Sequence, residues 1–310
     1  MTLRTVHQLA IVTLGLTFSL ILWGGVVHST GSSLACPDWP LCYGELFPPM
    51  QGGIAIEHGH RLLASLVGLL TLVITVGLFS QHKRGALSPL SKRFRTLGAL
   101  AVLLVVLQGV LGGITVIYQL PLAISSAHLA TSMLFGTVLV TIAFLTREGR
   151  QVAPLSVAIK ATLPWIAVTV LAIFIQIVIG ALVRHTGSGM ACGRDIFLCD
   201  GTLWPPQGPA RLHMAHRLFA IVVFVLVTTT ASRVLWFARA KAELGKIRII
   251  ARIQLVLVTL QGLLGAWNVL CYLALSAVTA HLGTGALLLF NSALFYLILR
   301  ERPIEKRAVA

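Results

Sequence analysis

Glu57 and His60 open a long apolar run. They lie in Ile56-Glu57-His58-Gly59-His60-Arg61-Leu62-Leu63-Ala64, after which the chain stays apolar to about Phe79. On a helix Glu57 and His60, three residues apart, share a face, whereas His58 and His60 point about 200° apart. A charge well inside a bilayer costs on the order of 3 kcal/mol or more, so such residues usually face a bundle interior and mark function. The plain alternative puts Glu57 in the wet headgroup zone and makes His60 a satisfied core histidine. The chain then repeats itself, which changes the balance. EHGHRLLA returns as HMAHRLFA, bringing His216, and SSAHLATS returns as VTAHLGTG, pairing His128 with His281.

Each half therefore carries one histidine near the start of its second helix and one near the start of its fourth. Two imidazoles on opposing helices of a four-helix bundle can hold a haem iron by both axial positions. His60 with His128, and His216 with His281, are the candidate pairs, and Ser125, Ser126 and Ala127, or Thr279, Ala280 and Gly283, leave room for a flat ring. Arg61 and Arg217 follow the first ligand of each pair and are candidates for haem propionates, or else snorkel to lipid headgroups. Where the first half has Glu57 the second has His213, which cannot serve as an anionic base, so the N-terminal half is the better candidate for chemistry. His213 and His216 share a face and could instead chelate a metal, although no third protein ligand is evident.

Four of the five cysteines fall in matching places: Cys36 and Cys42, then Cys192 and Cys199. On an oxidising face such close pairs read as two short disulfides. Zinc is the competing reading, but the spacing is long and no second ligand pair follows in either loop. Cys271 is left over and reads as a buried helix-end residue. No Cys-x-x-Cys-His motif is present, which excludes covalently attached haem.

These residues need elements to hold them, and composition says which. The chain has 310 residues, 57% of them hydrophobic and 11% charged, with a mean hydropathy of +0.91. That describes an integral membrane protein. Apolar stretches near 8–28, 58–80, 96–118, 122–146, 163–184, 213–236, 249–270 and 273–299 predict eight transmembrane helices. The first has no cleavage site of the usual kind and reads as a retained helix. Self-alignment holds at an offset of 156 for Gly31/Gly187, Cys36/Cys192 and His60/His216, and at 153 for Gln108/Gln261 and His128/His281. The expected fold is all-α, two parallel-repeat four-helix bundles, residues 1–150 and 151–310. An even helix number per repeat disfavours the inverted-repeat transporter plan.

The net charge of +15 sits in alternate loops: Lys83, Arg84, Lys92, Arg93 and Arg95; Arg147, Arg150 and Lys160; Arg233 to Arg252; and the tail from Arg300. Residues 29–56 hold no Lys or Arg. The positive-inside rule then places both termini in the cytoplasm and the cysteine loops outside the cell membrane. The excess charge sets topology, and no nucleic-acid partner is expected.

With EHGHRL, HMAHRL, both cysteine loops and the two later histidines in place, the chain resembles the bacterial haem A synthases along nearly its whole length. The resemblance implies an oxidoreductase of cytochrome oxidase assembly that turns the C8 methyl of haem O into a formyl group through an alcohol. It further implies haem O between His60 and His128 with Glu57 beside it, haem b as cofactor on His216 and His281, and a haem O synthase as supplier of substrate. The competing expectation is a diheme b-type electron carrier, for which Glu57 has no use.

Overall fold

A computed structural model describes residues 1–84, 89–148 and 153–303, without the side chains at 81–84, 89 and 91. The side chains of Lys83 and Arg84, the residues Arg150, Lys306 and Arg307, and the expected boundary between 150 and 151 all lie outside the described part of the chain. The α-helices among the described residues are, in order, α1 Leu3–Ser29, α2 Gly52–Arg84, α3 Pro89–Ile117, α4 Leu122–Thr146, α5 Val157–Lys160, α6 Leu163–His185, α7 Gly208–Ala238, α8 Gly245–Leu270 and α9 Leu275–Arg300. Eight of the segments are long and apolar enough to cross a membrane, α5 continuing into α6 as one of them. This is an all-α, multi-pass membrane protein. Apolar runs of 20 or more residues leave the backbone no partner but itself once water is absent, and helices satisfy every amide within the segment.

Helix ends follow local signals. The Thr2 side chain accepts from Thr5 N–H and starts α1. Pro209 stands in the first turn of α7, where its missing donor does no harm. Both α2 and α7 begin several residues before their apolar runs, at Gly52 and Gly208, which moves Glu57 and His60 a turn deeper into α2 than the sequence expects.

Contacts group the chain into two units. The first contains 1–148, 184–186 and 273–283; the second contains 149–183, 187–272 and 284–310. In the first, α1 packs on α2 and α4, and α3 packs on the same two, closing a ring of four helices in which α2 and α4 are diagonal. Its core joins Val6, Ala10, Ile74, Leu78, Leu139 and Ile142. The second packs α7 on α8 around Ile166, Val234, Ile247 and Phe295, with a buried hydrogen bond from Gln254 to Ser292 (2.7 Å).

Local backbone conformation repeats between the two halves of the sequence. Gly31 and Gly187 each leave a helix at φ 68°, ψ 14°, before a short 3-10 turn. Gly44 and Gly201 share φ 75°, a left-handed geometry that glycine adopts at little cost. The tight turns at Gln119-Leu120 and Tyr272-Leu273 also match, with all four residues at positive φ.

The histidine sites and the clamped cysteine loops

Both expected disulfides are present: Cys36–Cys42, with Cα atoms 4.9 Å apart, and Cys192–Cys199, at 4.7 Å. Cys271 is free and stands at the end of α8, as expected, but it is partly exposed and not buried.

The first loop is tied down by the residues that follow it in α2. Arg61 donates to the carbonyls of Asp38 (2.7 Å), Leu41 (2.5 Å) and Cys36 (3.3 Å), and pairs with Glu57 at 2.5 Å. The other Glu57 oxygen accepts from Cys36 N–H at 2.8 Å. Glu57 is thus buried, with one oxygen on Arg61 and the other on the backbone of the loop. Asp38 accepts from the N–H groups of Tyr43 (2.6 Å) and Gly44 (2.8 Å). Those bonds, first that from Gly44, hold its carboxyl below the usual carboxylate range. Trp39 lies over Gly113 of α3, where an added Cβ would come within 2.8 Å of the indole.

The second loop has the same frame with different chemistry. Arg217 reaches the carbonyls of Ile196 and Leu198, each at 3.3 Å, and donates to His213 Nε2 at 3.3 Å. Its Nη2 is buried without a hydrogen-bond partner. A buried guanidinium nitrogen of this kind suits an anion such as a propionate. Of the two arginines, Arg217 keeps a donor to offer, while Arg61 is engaged by its loop.

His60 and His128 stand on the diagonal helices α2 and α4. Each is partly buried and has a buried Nδ1 with no hydrogen-bond partner. Glycines make room for both rings: a Cβ on Gly24 would sit 3.4 Å from His60 Cε1, and one on Gly112 would sit 3.4 Å from His128 Cε1. Gln108 donates to the His128 carbonyl at 2.9 Å and to Thr131 Oγ1, fixing α3 to α4 at the depth of the ring. A buried ring nitrogen without a partner on each of two diagonal helices fits an iron-bearing macrocycle, whose iron would supply a partner to imidazole.

His216 lies on α7 above Gly180 of α6, where an added Cβ would come within 2.9 Å of its Cε1. Gln176 donates to the His216 carbonyl at 2.9 Å and lies 3.1 Å from its Nδ1. His281 stands in the second turn of α9, whose opening residues pack on α1: a Cβ on Gly25 would meet Leu282 at 3.0 Å and one on Gly283 would meet Leu22 at 2.6 Å.

Three features are not foreshadowed by the sequence pattern. Gln108 and Gln176 support the rings, and only the repeated Leu-Gln-Gly of Gln108 and Gln261 hints at the first. His28 and His185, without partners in register, meet edge to face at 5.2 Å, and Ser126 Oγ lies 3.0 Å from His185 Nδ1. His58 packs beside the first disulfide.

A family model described as cytochrome oxidase assembly protein matches residues 7–58 and 52–294. A heme A synthase of Symbiobacterium thermophilum is 34% identical over 298 residues, covering 94% of this chain and 93% of that protein. One from Bacillus pumilus is 27% identical over 279 residues, covering 88% of each chain, and one from Halalkalibacterium halodurans is 30% identical over 215 residues, covering 67% and 69%.

Proposed function

Since this chain belongs to the haem A synthase family of cytochrome oxidase assembly proteins, we propose that it makes haem A from haem O, oxidising the C8 methyl to a formyl group through an alcohol. The observation that carries the reading is the match to a heme A synthase along 94% of the chain. The four repeated histidines fall within that match.

In this reading the two halves, 1–150 and 151–310, are parallel four-helix repeats with different tasks. His60 and His128 bracket the substrate, with Glu57 at its edge as the acid/base residue. To take up a proton Glu57 would release Arg61 or the Cys36 amide, since both its oxygens are bonded. His216 and His281 would hold haem b, and Arg217 would receive a propionate on its free Nη2. Such a haem supplies one-electron transfer. Gln176 and Gln108 keep their imidazoles at a fixed depth, and the packed glycines at 112 and 180 let the rings stand upright. Both termini face the cytoplasm and the cysteine loops face outward, by the distribution of basic residues. A haem O synthase is the natural upstream neighbour, because the substrate is too apolar to diffuse freely through water.

The test is haem extraction from the purified protein and its host membrane, in cells that supply haem O. Haem A should accumulate only with the intact chain. If the protein yields haem B alone and haem O stays unconverted, the chain is an electron carrier and not a synthase.

A further inference from the structure

His58 follows Glu57 and is buried, with 1% of its surface exposed. Its Nε2 lies 2.8 Å from the carbonyl oxygen of Leu46. A carbonyl can only accept, so Nε2 carries the hydrogen and Nδ1 is left with a lone pair. That Nδ1 is buried and has no hydrogen-bond partner. Leaving such an acceptor unsatisfied is costly and calls for a reason. The surroundings offer one: a ligand nitrogen of His58 and the sulfurs of Cys36 and Cys42 all lie within 4.8 Å of one another. The second loop is an internal contrast. At the position of His58 it has Met214, buried against Cys192, Cys199 and Ala210, and no other trio of such ligands gathers among the described residues.

We propose that Cys36, Cys42 and His58 form a Cys2His site for a thiophilic cation of the zinc class, and that the disulfide is the closed, oxidised form of that site. A dithiol reductant supplies two electrons, the S–S bond breaks, two thiols form and the reductant becomes a disulfide. The cation then displaces the two thiol protons to solvent. Zinc–sulfur bonds of about 2.3 Å and zinc–nitrogen bonds of about 2.0 Å set tetrahedral donors roughly 3.5–3.8 Å apart. With all three donors within 4.8 Å, taking up an ion asks the two sulfurs to part and the imidazole nitrogen to adjust by side-chain shifts of about 1 Å. The loop can stay where it is throughout. Arg61 and Glu57 grip it by the backbone of Cys36, Asp38 and Leu41, not by sulfur. Three protein ligands leave the fourth position to water.

The experiment uses the full-length protein in detergent, before and after treatment with a phosphine reductant, under argon. Zinc is titrated in competition with a chromophoric chelator, and Co2+ serves as a spectroscopic substitute. The reduced protein should bind one more zinc per chain than the untreated protein, and its cobalt form should show thiolate-to-metal charge transfer. His58→Met, which installs the residue that the second loop carries, should weaken zinc binding at least about tenfold. Cys36→Ser should abolish it. The proposal is overturned if reduced wild type takes up no extra zinc, if its cobalt form shows no thiolate charge transfer, if His58→Met binds as tightly as wild type, or if Cys36→Ser keeps the site. The cobalt result stands on the wild-type chain and needs no variant to fold.

Discussion

Replacing Glu57 by Gln keeps the shape of the side chain and removes its charge, which separates a clamp on the cysteine loop from chemistry at the substrate. Glu57 makes two charge-assisted contacts, to Arg61 at 2.5 Å and to Cys36 N–H at 2.8 Å. The side chains of the pair are 12% and 6% exposed, so solvent screens them little. A hydrogen bond to a charged group contributes about 1.5–3 kcal/mol against about 0.5–1.5 for a neutral one, a loss of roughly 1 kcal/mol per contact and about 2 kcal/mol in all. At about 1.4 kcal/mol per decade, local opening of the loop should become about 30-fold more frequent. Hydrogen exchange with mass spectrometry, read on the peptide containing Cys36, measures this directly. Exchange at Cys36 should quicken by that factor while peptides of α4 stay unchanged, and haem A production should fall. If Cys36 exchanges at the wild-type rate in the Gln variant, the clamp reasoning is wrong, and any loss of activity then belongs to Glu57 as an acid/base residue.

Gly180→Ala puts a methyl 2.9 Å from His216 Cε1, so the ring must turn; with His216 holding haem b as proposed, a low-spin b-type spectrum should weaken or shift, and an unchanged spectrum would remove His216 from the ligand set. Asp38 carries a carboxyl held below its ordinary value of 3.8. The stabilisation it gives the loop is complete above that value and is lost as pH falls through the lower, folded-state value. Amide protection at Tyr43 and Gly44 should therefore be flat in the neutral range and decline below about pH 4, and Asp38→Asn should erase that decline. Cysteines placed at Met50 and at Arg147 should react with impermeant maleimide from opposite sides of the membrane, Met50 from outside; labelling of both from one side would refute the topology.

Eight membrane helices were legible in the sequence because the bilayer turns hydropathy and length into a near-complete constraint: a long apolar segment in lipid has little choice but to be helical. The pairing of Cys36 with Cys42, and of Cys192 with Cys199, was legible for a similar reason, since few other sulfurs are within reach on a short loop. The four haem-candidate histidines showed themselves through repetition, which exposes a pattern that one copy conceals. Where α2 and α7 begin was not legible, because a helix can extend past its apolar run and no side-chain cap marks the start of α7. What occupies a charged or polar group belonged wholly to tertiary structure. Sequence spacing allowed Arg61 to reach Glu57, a propionate or lipid; three loop carbonyls converging on its guanidinium decided the matter. His58 had no role until the loop folded over it, because the backbone of Leu46 and the sulfurs of Cys36 and Cys42 reach it only through a turn of the chain, and no pattern along a strand of letters records such a meeting. Periodicity reports which face of a helix a residue occupies, whereas hydrogen-bond partners are set by distances across the fold.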